Sequence, residues 1–127
     1  MWKLSLLCGV AAVASSTTLR AADKPSPTYH KDVVRILQKS CQDCHRPNQV
    51  APFSLLTYEQ ARKRASDLAH VTGERTMPPW PAASSFGGPF RDARVLADDE
   101  IATIQAWVEA DCPEGDPNEA PAPRTFS

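Results

Sequence analysis

The feature that most constrains this chain is a five-residue run, Cys41-Gln42-Asp43-Cys44-His45. Two thiols and an imidazole fall within little more than one turn of chain, so the fold must serve their chemistry as well as its own packing. The sequence holds four cysteines, a number that at first suits two disulfides. The N-terminus changes that count. Met1-Trp2-Lys3 gives a short positive start, Leu4 to Ala14 an apolar run, and Ser15 opens a small polar stretch. This is the layout of a secretory signal peptide. The run is shorter than the about 20 residues that a membrane-spanning helix needs. Ala12-Val13-Ala14 and Ala21-Ala22 are the two candidate cleavage points. We expect residues 1–22 to be removed, leaving an exported, periplasmic or otherwise extracytoplasmic domain with no stable membrane insertion; a retained anchor is the alternative. Cys8 leaves with the signal. Three cysteines cannot close into pairs, so at least one has another task.

C-x-x-C-H is the attachment signature of a c-type haem. Each thiol adds across one haem vinyl group to form a thioether, and two intervening residues let both sulfurs reach neighbouring pyrroles. The histidine then lies under the iron and ligates it from the proximal side. Cys41 and Cys44 are therefore the expected thioethers of one covalent haem c, and His45 its proximal iron ligand. Two rivals use the same residues. A thioredoxin-like redox pair would normally follow a strand. A zinc site would need Cys112 or His70 to complete it.

The 127 residues, 42% hydrophobic and 23% charged with a formal net charge of −1, fit one small globular domain. They argue against a disordered chain and against a nucleic-acid binder working through a broad positive field. Three helices are expected. Val33, Ile36, Leu37 and Ser40 form a helical stripe over Tyr29 to Ser40, with Thr28 as cap. Thr57 to Val71 is the second helix, opened by a Thr57–Gln60 capping box and ended by Gly73. Ile101, Ile104, Trp107 and Val108 mark the third, from Asp98 to Ala110. Ala97 stands where a Ser or Thr cap is usual, so Asp98 is expected to serve instead. No stretch alternates as a strand. Between helices two and three runs a long loop, Thr72 to Leu96, of the kind normally functional or packed around something. Residues 118–127 form a Pro-rich polar tail, read as disordered. So thin a core commonly needs a cofactor to hold it together.

At this point the chain resembles a class I c-type cytochrome, over roughly Tyr29 to Pro117. More narrowly it is similar to the small mono-haem cytochrome domains of planctomycete-type exported proteins, which often stand beside redoxin-like or copper monooxygenase-like domains. The pieces that carry the likeness are SCQDCHRPNQVAPFSLLTYEQARKRA, MPPWPA and LADDEIATIQAWVEADCPEGDP. The resemblance implies a small all-α class I cytochrome c-like bundle around one haem, over residues 23–117, in which the first and last helices cross. It also implies that Met77, in Thr76-Met77-Pro78-Pro79-Trp80, is the distal iron ligand. The chemistry agrees, since a neutral thioether favours Fe(II). His70 and His30 are the rival ligands, and a five-coordinate iron is the remaining option.

In such domains a proline carbonyl usually fixes the proximal histidine, which points to Pro52, with Pro47 next. Phe53, Leu55, Leu56, Trp80, Phe90, Leu96 and Trp107 are the natural apolar wall. Tyr58, Trp80, Arg91 and Arg94 are candidates for the propionates. Arg62-Lys63-Arg64 reads as a solvated helix face rather than a docking patch. Cys112 departs from the family pattern and is left as a buried thiol or a link to another chain. Nothing resembles a catalytic triad, a phosphate loop or a carboxylate pair, so no catalytic residue is expected. The expected function is electron transfer to redox protein partners, not to nucleic acid, by way of an exposed haem edge. The alternatives are a haem subunit of a larger exported redox enzyme and a five-coordinate sensor or peroxidase-like protein.

Overall fold

The computed structural model describes residues 25–79 and 94–126. The expected signal segment, residues 1–22 with Cys8, lies outside them, as do Trp80, Phe90 and Arg91. Among the described residues every regular element is helical and no strand occurs, so the fold is all-α.

The first helix begins where expected but with wider geometry. Thr28 caps it, accepting from the amide of Lys31, and Asp32 accepts from the amide of Thr28 in return. Tyr29–Val33 forms one π-type turn, followed by α1, Val34–Ser40. Two of the exposed first-turn amides that a helix start leaves unpaired are met by the far end of the chain. Tyr29 donates to the carbonyl of Pro113 at 2.9 Å and His30 to that of Glu114 at 3.0 Å. Gly115 makes this approach feasible. It sits at φ 82, and a Cβ there would lie 2.5 Å from Thr28 Oγ1.

The second expected helix is two. α2 is Tyr58–Lys63 and α3 is Ala65–Gly73, with Arg64 between them at φ −111, ψ 15. The capping box is present, with Thr57 and Gln60 exchanging side-chain-to-amide bonds. The C-terminal expectation is corrected: Gly73 does not reverse the chain. Arg75 takes the left-handed position at φ 55, its amide donating to Thr72 and that of Thr76 to Val71. This is the paired bonding of a Schellman end, which usually uses glycine. A Cβ at Gly73 would meet only the end of the Gln105 side chain, Nε2 at 2.9 Å, which can swing aside, so glycine is not demanded there.

α4, Asp98–Glu109, packs on α3 and on the first helix. Asp98 does not cap it. Glu100 accepts from the Ala97 amide at 2.9 Å, while Asp98 pairs with Arg75. The same Arg75 donates to the carbonyl of Leu96 at 3.2 Å, so one side chain ties together both ends of the long loop. α4 also ends in a Schellman turn, with Asp111 at φ 61 and Cys112 donating to Trp107.

Trp107, Leu37, Leu55, Ile104 and Val33 are the heart of the core. Trp107 is fully buried; its ring lies 6.3 Å from that of Tyr29, and its Nε1–H donates to Pro113 O at 3.0 Å. Among the described residues no buried side-chain nitrogen or oxygen lacks a partner.

The tail expectation is also corrected. Pro117–Glu119 forms a short 3-10 turn, and the chain beyond it lies along the first helix. Arg35 donates to Glu119 O at 3.1 Å and Gln38 to Ala122 O at 3.0 Å. Prolines 117, 121 and 123 restrict the tail before it docks, so ordering it costs less entropy.

Candidate functional site

The motif follows directly from the end of α1. Cys41 and Gln42 both donate their amides to Leu37 O, and Cys44 and His45 both donate to Cys41 O, at 3.2 and 2.9 Å. Two thiols and one imidazole thus share a single tight turn. Gln42, only 2% exposed, turns inward and donates to Leu55 O at 3.0 Å. Leu55 in turn donates its amide to His45 O at 2.9 Å. The motif is therefore tied twice to the segment that returns past it.

His45 is held through its ring as well. Nδ1 lies 3.2 Å from the carbonyl of Phe53. The expected carbonyl was that of Pro52, one residue earlier. The turn after Pro52 aims the next carbonyl at the ring, and the Phe53 side chain covers the imidazole, with centroids 4.6 Å apart. A carbonyl can only accept, so Nδ1 donates, and in the neutral ring this leaves the lone pair on Nε2. Among the described residues Nε2 takes no hydrogen bond. This is the state an imidazole needs to ligate a metal.

Arg64 completes a stack that the sequence pattern did not reveal. Its guanidinium lies 4.4 Å from the Phe53 ring centre and 3.4 Å from Asp67. The interruption between α2 and α3 turns this one residue of the basic run inward, while Arg62 and Lys63 stay exposed. No local motif signals it, because Arg64 reads as one more member of a charged helix face.

Cys41 and Cys44 are free thiols, both partly buried. Burial, and after it the neighbouring Cys44 and Glu100, push the Cys41 thiol up to about 12. Cys41 also caps the C-terminal, negative end of α1. Thioredoxin-type attacking cysteines have the opposite setting, a lowered pKa at a helix N-terminus. Arg94 reaches in from the far end of the long loop, its NH1 lying 3.6 Å from Cys44 Sγ.

Met77 leaves α3 immediately after the Schellman turn. Its amide donates to Val71 O at 3.1 Å, the same acceptor that holds Thr76. The residue is 41% exposed, and Met77, Val50 and Val95 are the large exposed apolar residues among those described. Val50 follows the motif and Val95 stands beside Arg94, so all three lie on segments that adjoin the motif or the loop.

The remaining candidates have other partners. His70 is exposed on α3, and His30 lies 3.4 Å from Glu114. The Tyr58 hydroxyl, a propionate candidate, donates to Cys112 O at 2.9 Å. Leu55, Leu96 and Trp107 are core, with Phe53 packed against them. Cys112 is 5% exposed, and burial, followed by Asp111, raises its thiol pKa. Among the described residues no three His, Cys, Asp or Glu side chains gather closely enough to hold a metal ion.

A haem iron would ask only two axial atoms of the protein, so the absence of a three-ligand cluster among the described residues does not decide the matter. His45 offers an oriented imidazole, the two thiols stand three residues apart ahead of it, and Met77 projects from a fixed backbone. No family model, curated protein or solved structure matches the chain.

Proposed function

We propose that this chain is an exported, mono-haem c-type cytochrome that passes electrons between protein partners. Cys41 and Cys44 would form the thioethers, each S–H adding across a vinyl double bond. His45 would be the proximal ligand and Met77 the distal one. The observation that carries this reading is the Nδ1 bond from His45 to Phe53 O within a C-x-x-C-H turn. It fixes the tautomer that leaves Nε2 as a ligand.

When bound, haem supplies a one-electron Fe(III)/Fe(II) couple. His45 supplies a donor whose ring cannot rotate without breaking the Phe53 bond. Met77 supplies a soft, neutral donor, and the bonds to Val71 O hold its backbone. Arg94 places positive charge beside Cys44. Val50, Met77 and Val95 present apolar surface that a large flat cofactor would cover. The all-α fold, with α4 packed on the first helix, agrees with a class I bundle.

The test is an optical spectrum of the exported protein. Haem retained in denaturant and a six-coordinate native ferric spectrum are expected. A chain that exports and folds without haem would overturn the reading. Carbon monoxide binding to the reduced native protein would replace the carrier with the five-coordinate alternative.

A further inference from the structure

The C-terminal tail does more than cover α1. Cys41 and Gln42 both use Leu37 O, so Gln38 O receives no bond from the amide four residues on. Arg124 fills that place from 86 residues away, its NH1 donating to Gln38 O at 2.6 Å. Its NH2 meets Asp43, inside the motif, at 2.9 Å. Phe126 follows two residues later. Its ring takes the Arg46 guanidinium at 4.3 Å and that of Arg124 at 5.0 Å. Arg46 closes the circuit, with Nε donating to Asp43 O at 3.3 Å. The circuit thus runs from Asp43 through Arg124, Phe126 and Arg46 back to Asp43. It brackets Cys44 and His45 in sequence, with Asp43 before them and Arg46 after.

We propose that Arg124 and Phe126 are positioning residues for His45, clamping Asp43 and Arg46 so that the motif turn holds one geometry. The planar fork of arginine is what permits this, since its two terminal nitrogens reach the end of α1 and the motif at once. A lysine would offer one point charge and could serve only one of them well. Two guanidinium groups on one ring add cation–π attraction at a partly exposed site. The role as a haem-ligand positioner rests on the function proposed above; the clamp on residues 43–46 does not.

Amide hydrogen exchange on the full exported protein separates these cases. Arg124→Gln and Phe126→Leu should each speed exchange at Cys44 and His45, whose amides both donate to Cys41 O, by about tenfold for Arg124→Gln, as loss of a charge-assisted bond implies. Exchange in α4, at Ile104 and Trp107, should not change. Arg124→Lys should restore less than half of the lost protection. The midpoint potential of the two variants should shift as well, and that of Glu119→Gln, a control at the near end of the tail, should not. Unchanged exchange at Cys44 and His45 would overturn the clamp, as would equal acceleration in α4 or full rescue by lysine. A preparation without haem would refute the cytochrome reading and leave the exchange result standing.

Discussion

Gln42 is the variable motif residue with a fully internal side chain, and its replacement tests how the motif is held. Gln42→Leu keeps most of the volume and removes the donor to Leu55 O. That carbonyl has no other donor among the described residues, and the site is 2% exposed at Gln42 and 1% at Leu55, so water cannot readily replace the bond. Stranding a buried acceptor costs about 1–3 kcal/mol. The new methyl groups fill space the amide occupied, so little cavity cost is added. In a domain of this size each kcal/mol moves Tm by about 4–8 °C, so a fall on the order of 10 °C is expected. Urea unfolding followed by far-UV circular dichroism should show a lower midpoint at unchanged slope. The Leu55 amide supports His45 O, so the His45 proton resonances should shift too. A loss below about 0.5 kcal/mol would refute the argument that this bond anchors the motif, because surface substitutions fall within that range.

Three further expectations concern other parts of the molecule. Burial opposes ionisation of Glu100, but the Lys39 bond at 2.8 Å and the Ala97 amide outweigh it and hold its carboxyl below the usual range. A depressed folded pKa contributes stability above the unfolded value and loses it as pH falls through the folded one, so melting temperature should drop on acidification below about pH 4.5, and less steeply in Glu100→Gln. Gly115→Ala should destabilise the protein by more than about 1 kcal/mol in denaturant titrations, since the residue combines φ 82 with contact against Thr28. Met77→Ala should open the sixth iron position and lower the midpoint potential; an unchanged potential and spectrum would retire Met77 as the ligand.

Local chemistry was the legible part of this molecule. The motif, the Thr28 cap, the Thr57–Gln60 box and the apolar stripe of α4 all depend on residues within a turn or two of one another. Their spacing therefore announces them. What is not legible in the sequence depends on partners far apart in the chain. Arg124 reaches Gln38 and Asp43 only because the tail folds back, and nothing near position 124 marks it as more than a charge in a Pro-rich run. Arg64 stacks on Phe53 because a helix stops without glycine or proline to stop it. The shift from Pro52 to Phe53 as the partner of His45 is a matter of which way one carbonyl points. The helix ends show the same limit. Glycine at position 73 reads as the stop signal, yet an arginine adopts the left-handed turn at 75 and is kept there by bonds to Leu96 and Asp98.

That arginine has a consequence for how such a chain can change. Its guanidinium joins the residue that opens the long connection to those that close it, so the connection leaves and re-enters the helical body through a fixed neck. The end of α3 and the start of α4 are thus pinned at one side chain, and a substitution at position 75 reaches both helices at once. Position 75 is in effect a hinge pin: drift in the sequence of either helix is tolerated only while that guanidinium still finds its two partners.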